Sequence, residues 1–468
     1  MTGPDPLPVA VIGAGPAGLR AAQRLVAAGL RPILLDEAAA PGGQIYRRPP
    51  PPLAALRDPA ALYGADAGRA MALARMFETI RDRVDYRPQT LVWNAARADG
   101  GALSLQLRGA DGVDADLRVR TVVLATGAMD RVVPVPGWTR PGVFSLGGAQ
   151  IMLKAQAHLI GRRPVFAGSG PLLYLVAWQY AKAGALPAAV IDVASFGTKM
   201  LAAPRMLARP RLLLRGARMA LDLRRMGVPM IEGALAVRIE QGTEGLSVHW
   251  RAGSRGGIVG CDAVGMGHGL KPERQLADLL GCPVAFDPRS GQWHSTTDAE
   301  GRSPIPGVYL AGDMVRINGA HSAEAAGEMA ASALLRDMGL ARTSAPRRVL
   351  LRLALARTAA FRRGLERAFA LPPAAICDMP DETVVCRCEG VSAGDLRRAL
   401  DIWGPADLNR LKAVTRCGMG RCQGRLCGAT AGALMAAEAG LPPDAPGPLR
   451  GQAPVKPLPL PTFLTGGA

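Results

Sequence analysis

Apolar positions along this chain follow two rhythms that alternate in a fixed order. Val9-Ala-Val-Ile12 is a continuous apolar run with the length of a buried strand, residues 16–28 repeat Leu and Ala at helical spacing, and Pro32–Leu35 returns to strand. Residues 86–119 alternate apolar and polar positions across glycine-rich turns, as an antiparallel excursion does. Thr121–Leu124 is again uniformly apolar and closes on Ala125-Thr126-Gly127. The order then restarts with a strand at 164–167, the turn Gly168-Ser169-Gly170, a helix over 171–184 and a strand at 188–192. A basic helical stretch over 199–226 leads into more strands ending at Gly265-Met-Gly-His-Gly. Val308-Tyr-Leu-Ala-Gly-Asp313 is a strand with a turn, followed by a helix over 322–338. Two strand–helix–strand units predict an α/β protein with tandem Rossmann-like domains.

The last quarter reads differently. Residues 346–371 form a cationic helix, Arg-rich on one face with Leu, Ala and Phe on the other. It reads as a connector packed on the main body, with a helix lying on a membrane surface as the competing reading. A cysteine module follows over 376–435, and the Pro-rich tail from Pro442 is expected to run extended, as a strap over the body or over a partner.

Size and charge narrow the classes. At 468 residues there is room for two to four domains with substantial cores. Aromatics at 4% argue against a base-stacking platform, and the +18 net charge comes without a nucleic-acid recognition motif, so no nucleic-acid role is expected. The charge reads as arginine on solvated helix faces, or as steering of anionic substrates or an acidic partner. The start, Met-Thr-Gly-Pro-Asp-Pro-Leu-Pro, has no basic or apolar leader region. Nothing reaches the ~20 apolar residues of a membrane span. The expected compartment is the cytoplasm, with any membrane association made through partners.

Gly13-x-Gly15-x-x-Gly18 stands between the first strand and helix. The first glycine allows the tight turn, the second lets backbone approach a pyrophosphate, and the third lets the helix pack closely on the sheet. Asp36 ends the next strand 23 residues after Gly13, where a carboxylate accepts ribose hydroxyls. In the second unit Leu173 occupies the third-glycine position, where bulk pushes helix and strand apart, although Asp192 still ends the following strand. That unit is open to NAD(P), to an adenine nucleotide in a fixed role, or to an empty fold.

Five of the eight cysteines crowd into Cys386-Arg-Cys388 and Cys417-Gly-Met-Gly-Arg-Cys422-Gln-Gly-Arg-Leu-Cys427. Such spacing suggests an iron–sulfur cluster, with structural zinc as the alternative, and five thiols compete for four ligand places. Cys261, Cys282 and Cys377 are isolated and read as buried small hydrophobes.

Ala125-Thr126-Gly127 and Ala311-Gly312-Asp313 resemble the second and third fingerprints of two-dinucleotide flavoprotein reductases. That resemblance implies FAD, with Asp313 at its ribityl–phosphate end and the helix after Asn318-Gly-Ala-His321 aimed at the flavin pyrimidine. The FAD contacts it implies are Gly13, Gly15, Pro16, Ala17, Gly18, Asp36, Glu37, Gly43, Gln44, Val92, Ala125, Thr126, Gly127, Gly312, Asp313 and Ala325. Disulfide reductases of this group carry a redox cysteine pair; the loop Pro41-Gly-Gly-Gln-Ile-Tyr46 has none, which excludes disulfide exchange at the flavin. The cysteine run resembles the tails of bacterioferritin-associated ferredoxin and anaerobic glycerol-3-phosphate dehydrogenase. Carried over by position, that pattern makes Cys386, Cys388, Cys422 and Cys427 the ligands of a 2Fe-2S cluster and Cys417 a neighbour.

End to end, the chain resembles the A-type flavin subunits of opine oxidases and the matching subunits of hydrogen cyanide synthase and dye-linked proline or hydroxyproline dehydrogenases. Pro41-Gly-Gly-Gln-Ile-Tyr-Arg47, Asp130-Arg-Val-Val-Pro-Val-Pro-Gly-Trp138, Gly147-Gly-Ala-Gln150 and the cysteine tail carry the likeness. It implies an FAD-binding domain in two parts (1–130 and 269–345) around a central NAD(P)-like domain (131–268). Beyond these come a connector (346–375), a 2Fe-2S domain (376–435) and the tail (436–468). It further implies one subunit of an FAD-dependent oxidoreductase that works on C–N bonds. A B-type FAD subunit, resembling D-amino-acid oxidase, would oxidise the substrate, and this chain would pass the electrons to an acceptor such as the respiratory chain. No catalytic acid–base residue is assigned here; His321 has the best position but reads as structural. The alternative is a self-sufficient NAD(P)H-dependent reductase.

Overall fold

Strand β1 (Val9–Ile12) is buried at all four positions because it runs through the middle of a parallel sheet. The computed structural model describes residues 8–54, 63–242, 245–340, 344–404 and 407–458. The expected leader-free start (1–7) and the last ten residues of the tail lie outside the described residues. Helix α1 (Pro16–Val26) opens with Pro at its first position, where the missing N–H would have no partner anyway. It leads to β2 (Ile33–Leu35), α2 (Ala67–Ile80) and β3 (Asp85–Arg87). Strands β4 (Leu91–Arg97), β5 (Leu103–Arg108) and β6 (Asp114–Val119) form the antiparallel excursion, and β7 (Thr121–Leu124) returns to the main sheet. The excursion is shorter than the sequence reading, since Asp85–Arg87 pairs in parallel with β2.

Strand β8 (Ala128–Asp130) leaves this body, and β9 (Val143–Ser145) with α3 (Leu146–Ala155) opens the central unit. There follow β10 (Val165–Ser169), α4 (Pro171–Lys182), β11 (Ala189–Asp192), α5 (Phe196–Met206) and α6 (Pro210–Arg225). The basic stretch is therefore two helices, because Pro210 starts a new helix and cannot continue the old one. Strands β12 (Met230–Glu232) and β16 (Val264–His268) complete a sheet ordered β12-β11-β10-β16-β9. Strands β13 (Leu235–Gly242), β14 (Gly245–Ala252) and β15 (Arg255–Cys261) make a second antiparallel layer.

Strand β17 (Leu270–Pro272) pairs antiparallel with β8, so the two connections between the units form one ribbon. After α7 (Gln275–Leu279) and the hairpin β18 (Val284–Asp287) and β19 (Gln292–Ser295), β20 (Val308–Leu310) completes the first sheet as β20-β7-β1-β2-β3. Helix α8 (Ala320–Asp337) packs tightly on α1: a Cβ on Gly327 would run into the carbonyl of Ala17. Helix α9 (Ala345–Ala368), the cationic connector, lies against α5 with Phe361 and Ala368 packed beside Met206 and Ala202.

The last unit holds the hairpin β21 (Val384–Cys386) and β22 (Val391–Ser392) with α10 (Ala393–Trp403), α11 (Leu408–Thr415) and α12 (Gly428–Glu438). Ser392 and Asp395 close a capping box at the start of α10, and the Asp407 side chain caps α11. Leu396, Leu411, Leu434 and Met435 fill its core. The tail is a strap over the chain's own body: Val455 is buried in the core beneath the first sheet and its N–H donates to the Trp93 carbonyl at 3.0 Å. Among the described residues no helix is long and apolar enough to cross a membrane. Cys261 and Cys282 are buried, whereas Cys377 is exposed, contrary to expectation, because it ends a single helical turn at the surface.

Candidate functional site

Gly13, Asp36, Ala125 and Ala311 each directly follow a strand of the first parallel sheet, so all four emerge at one edge. Ligands of open α/β sheets bind at that edge. Four of the glycines there, Gly13, Gly18, Gly43 and Gly312, leave no room for side chains. A Cβ on Gly13 would strike the Ala125 carbonyl, and one on Gly18 would strike the Gly13 carbonyl. A Cβ on Gly43 would sit 2.9 Å from the Gly15 Cα, and one on Gly312 2.8 Å from the Ala17 Cβ. Backbone is thus stripped bare where a pyrophosphate has to approach the start of α1. This cradle fits a dinucleotide.

Two carboxylates stand in it. Asp36 accepts from the Ala38 amide at 2.7 Å and from the Ala14 amide, while its burial pushes the carboxyl above the usual range. Asp313 accepts from the amides of Asn318 and Gly319 at 2.9 and 3.0 Å through one oxygen, and burial pushes its carboxyl up as well. Those bonds fix the turn that launches α8 from Gly319, whose φ of 79° needs glycine. Glu37 is taken by Lys456 of the strap. Gln44 donates to the Ala128 carbonyl at 3.1 Å. Val92 lies buried on β4, and Ala325 lies on the second turn of α8. His321 lies on the first turn of α8 with one side open to solvent, and the partial desolvation of its other side together with Arg69 and Arg209 holds its imidazole below the usual range.

The second unit keeps the strand–turn–helix shape, yet Asp192 and Ser169, the carboxylate and turn hydroxyl placed to meet a nucleotide, already have protein partners. Asp192, fully buried, accepts from the Tyr174 hydroxyl at 2.5 Å and pairs with Lys199 at 2.7 Å. Lys199 also pairs with Glu232 at 2.9 Å. Ser169, in the glycine turn, donates to the carbonyl of Phe369 just beyond α9 at 3.3 Å. Leu173 is packed out of solvent at the third-glycine position.

All five clustered cysteines come together. Cys386 ends β21, Cys388 follows in the turn, and Cys417, Cys422 and Cys427 bracket the loop between α11 and α12. The Sγ atoms of Cys386, Cys417 and Cys427 lie within 4.8 Å of one another, all buried. Cys388 and Cys422 are mutual neighbours, less deeply covered. The loop curls back on itself through positive φ at Arg416, Gly418, Gln423 and Gly424. Gly420 has to be glycine because a Cβ would strike Cys388, and Leu449 of the strap closes over Gly418 and Gly424. The Cys417 and Cys427 thiols facing Cys386 hold its thiol well below the usual range, and the same contact pushes Cys417 and Cys427 up. An all-sulfur donor set of this kind fits an iron–sulfur cluster.

A short polar route joins the two sites, and nothing local in the sequence announces it. The Thr126 hydroxyl donates to the Glu273 carbonyl at 2.6 Å, 147 positions away. The Glu273 carboxylate pairs with Arg425 at 2.6 Å, and Arg425 lies between Cys422 and Cys427. Beside them Gln275 donates to the Gln423 carbonyl at 2.8 Å. Lys271 on β17 has Glu273, Cys427 and Cys422 as charged neighbours, and burial lowers its pKa to about 8. The cysteine unit is also anchored on its far side, where the Trp138 indole donates to the Val384 carbonyl at 2.6 Å.

Comparison with known proteins agrees with this geometry. The family described as pyridine nucleotide-disulphide oxidoreductase matches residues 7–330, and the BFD-like [2Fe-2S] binding domain matches residues 384–437. The chain is 36% identical to the A subunit of opine oxidase from Rhizobium meliloti over 97% of this chain and 86% of that protein. It is 34% identical to hydrogen cyanide synthase subunit HcnB of Pseudomonas aeruginosa over 89% of this chain and 90% of that one. The crystal structure of L-proline dehydrogenase from P. horikoshii shares the fold, with a TM-score of 0.69 at 18% identity over 97% of this chain and 79% of that chain. The protein is therefore an oxidoreductase whose cofactors are FAD and a 2Fe-2S cluster, and the cradle and the thiol group have the chemistry to receive them. It belongs to the FAD- and 2Fe-2S-containing family of the opine oxidase A subunits.

Proposed function

We propose that this chain is the electron-transferring subunit of a heteromeric amine or amino-acid dehydrogenase. A separate flavoprotein subunit of D-amino-acid-oxidase type oxidises the C–N bond, and this chain relays the electrons through its FAD and cluster to an acceptor such as the respiratory chain. The observation that carries the reading is the Thr126–Glu273–Arg425 route, which ties the flavin fingerprint to the cysteine loop by two short contacts. The relatives' names support a multi-subunit setting, since each is called a subunit of an oxidase or synthase.

The FAD residues assigned are Gly13, Gly15, Pro16, Ala17, Gly18, Asp36, Gly43, Gln44, Val92, Ala125, Thr126, Gly127, Gly312, Asp313 and Ala325, with Glu37 reaching the adenosine end beside Lys456. Cys386, Cys388, Cys422 and Cys427 are the cluster ligands. FAD supplies the two-electron to one-electron conversion and the cluster single-electron exit. The protein's part is to hold both at fixed spacing and keep water from the sulfurs. A self-sufficient NAD(P)H reductase is disfavoured by the ion-paired Asp192, the occupied Ser169 and the bulk of Leu173.

Anaerobic spectroscopy separates the two. The flavin of the isolated chain should stay oxidised on adding NADH or NADPH, and should bleach with an opine or imino acid only when the B-type partner is present. Bleaching by a nicotinamide within seconds would overturn the proposal.

A further inference from the structure

The five thiols are not distributed evenly. A 2Fe-2S cluster asks for two protein sulfurs at each iron. Cys388 and Cys422 form one pair, and among the described residues no third thiol closes a 4.8 Å group with them. At the other pole Cys386 and Cys427 share their space with Cys417, whose Sγ lies within 4.8 Å of both. Cys417 is 4% exposed and its backbone amide donates to the Thr415 hydroxyl at 3.2 Å, which holds the residue beside the other sulfurs.

The geometry points to Cys417 as a reserve ligand for the iron held by Cys386 and Cys427. When either of those two is lost from the iron, the Cys417 sulfur takes its place. In that exchange one Fe–S bond to Cys386 or Cys427 breaks and one to Cys417 forms. The Cys417 proton passes to the departing thiolate, and no iron changes oxidation state. The pole held by Cys388 and Cys422 has no such substitute. This inference depends on the cluster lying among these thiols and not on the path electrons take through the chain.

The test is a panel of single serine variants, reconstituted anaerobically with iron and sulfide and assayed on the fraction that retains FAD, so that unfolded protein is excluded. The readouts are iron per chain and the electron paramagnetic spectrum of the dithionite-reduced protein. Cys427→Ser and Cys386→Ser should each keep at least about five-fold more iron than Cys388→Ser or Cys422→Ser, with shifted g-values that report the new ligand. Cys417→Ser alone should keep a wild-type spectrum, and the double variant Cys417→Ser/Cys427→Ser should lose the cluster. Retention in either Cys386→Ser or Cys427→Ser, lost again when Cys417 is also removed, establishes the reserve role. The inference is overturned if both singles are as empty as Cys422→Ser. A double variant that keeps its cluster, or a Cys417→Ser that loses it, overturns it as well.

Discussion

Arg425 and Glu273 meet at 2.6 Å, one from the loop that carries Cys422 and Cys427 and the other from the strand end that binds Thr126. Both side chains are largely covered, so the pair is screened little and breaking one partner leaves a charge stranded, a loss of about 3 kcal/mol. The Arg425 guanidinium also holds the Val455 carbonyl of the strap. Arg425→Met should therefore keep FAD and iron near full occupancy while slowing electron exchange between flavin and cluster, because the cysteine unit no longer sits at a fixed distance. Stopped-flow absorbance after flavin reduction checks this; an unchanged exchange rate contradicts it.

Much of this architecture can be read from the sequence. The first unit is legible because strand, glycine turn, helix and acid are local and follow one another within 36 residues. The hidden parts are contacts between distant segments. Neither Phe369 at Ser169 nor Glu273 at Arg425 leaves a periodic signature, since partners 200 and 152 positions apart meet only after the units dock. The sequence puts Cys417 among five competing thiols and the family resemblance sets it aside as a neighbour, whereas packing brings its sulfur within 4.8 Å of Cys386 and Cys427. Lys456 on Glu37 is hidden for the same reason, although the composition of the tail does predict an extended run.

Asp36 should matter for flavin retention. One charge-assisted hydrogen bond is worth ~1.5–3 kcal/mol, so Asp36→Ala should weaken FAD binding by roughly ten- to a hundred-fold. Because Asp36 also accepts from Ala14 and Ala38, the folded fraction has to be followed in parallel by circular dichroism. FAD occupancy unchanged after dialysis contradicts the assignment.

Lys154 gives a pH signature of stability. It is buried, donates to the Ile45 carbonyl at 3.1 Å, and burial lowers its pKa to about 8. Below that pH both folded and unfolded chains carry the proton and the burial penalty is present in full. Between about 8 and the unfolded value of ~10.4 only the unfolded chain still holds it, so this group's contribution to stability rises with pH by at most ~1.4 kcal/mol per unit. Lys154→Met should remove that share of the rise, measured as urea midpoints from neutral to alkaline pH. Parallel curves for variant and parent contradict the prediction.

Lys271 places a positive charge near Cys422, Cys427 and the β8–β17 ribbon. Reduction adds an electron to the cluster, which a nearby cation favours. Lys271→Met should lower the cluster midpoint potential at neutral pH by on the order of 50 mV, with FAD occupancy unchanged. Redox titration followed by electron paramagnetic resonance checks this, and a potential that stays put or rises contradicts it.

The central claim is that flavin and cluster in this one chain exchange electrons directly. Anaerobic photoreduction of the purified chain, with samples frozen at intervals, tests it most directly. The predicted result is a cluster signal that grows at the same rate as the flavin absorbance recovers, and a variant with Cys422→Ser in which the flavin stays reduced. A reduced flavin that persists for minutes beside an intact, oxidised cluster would contradict the account.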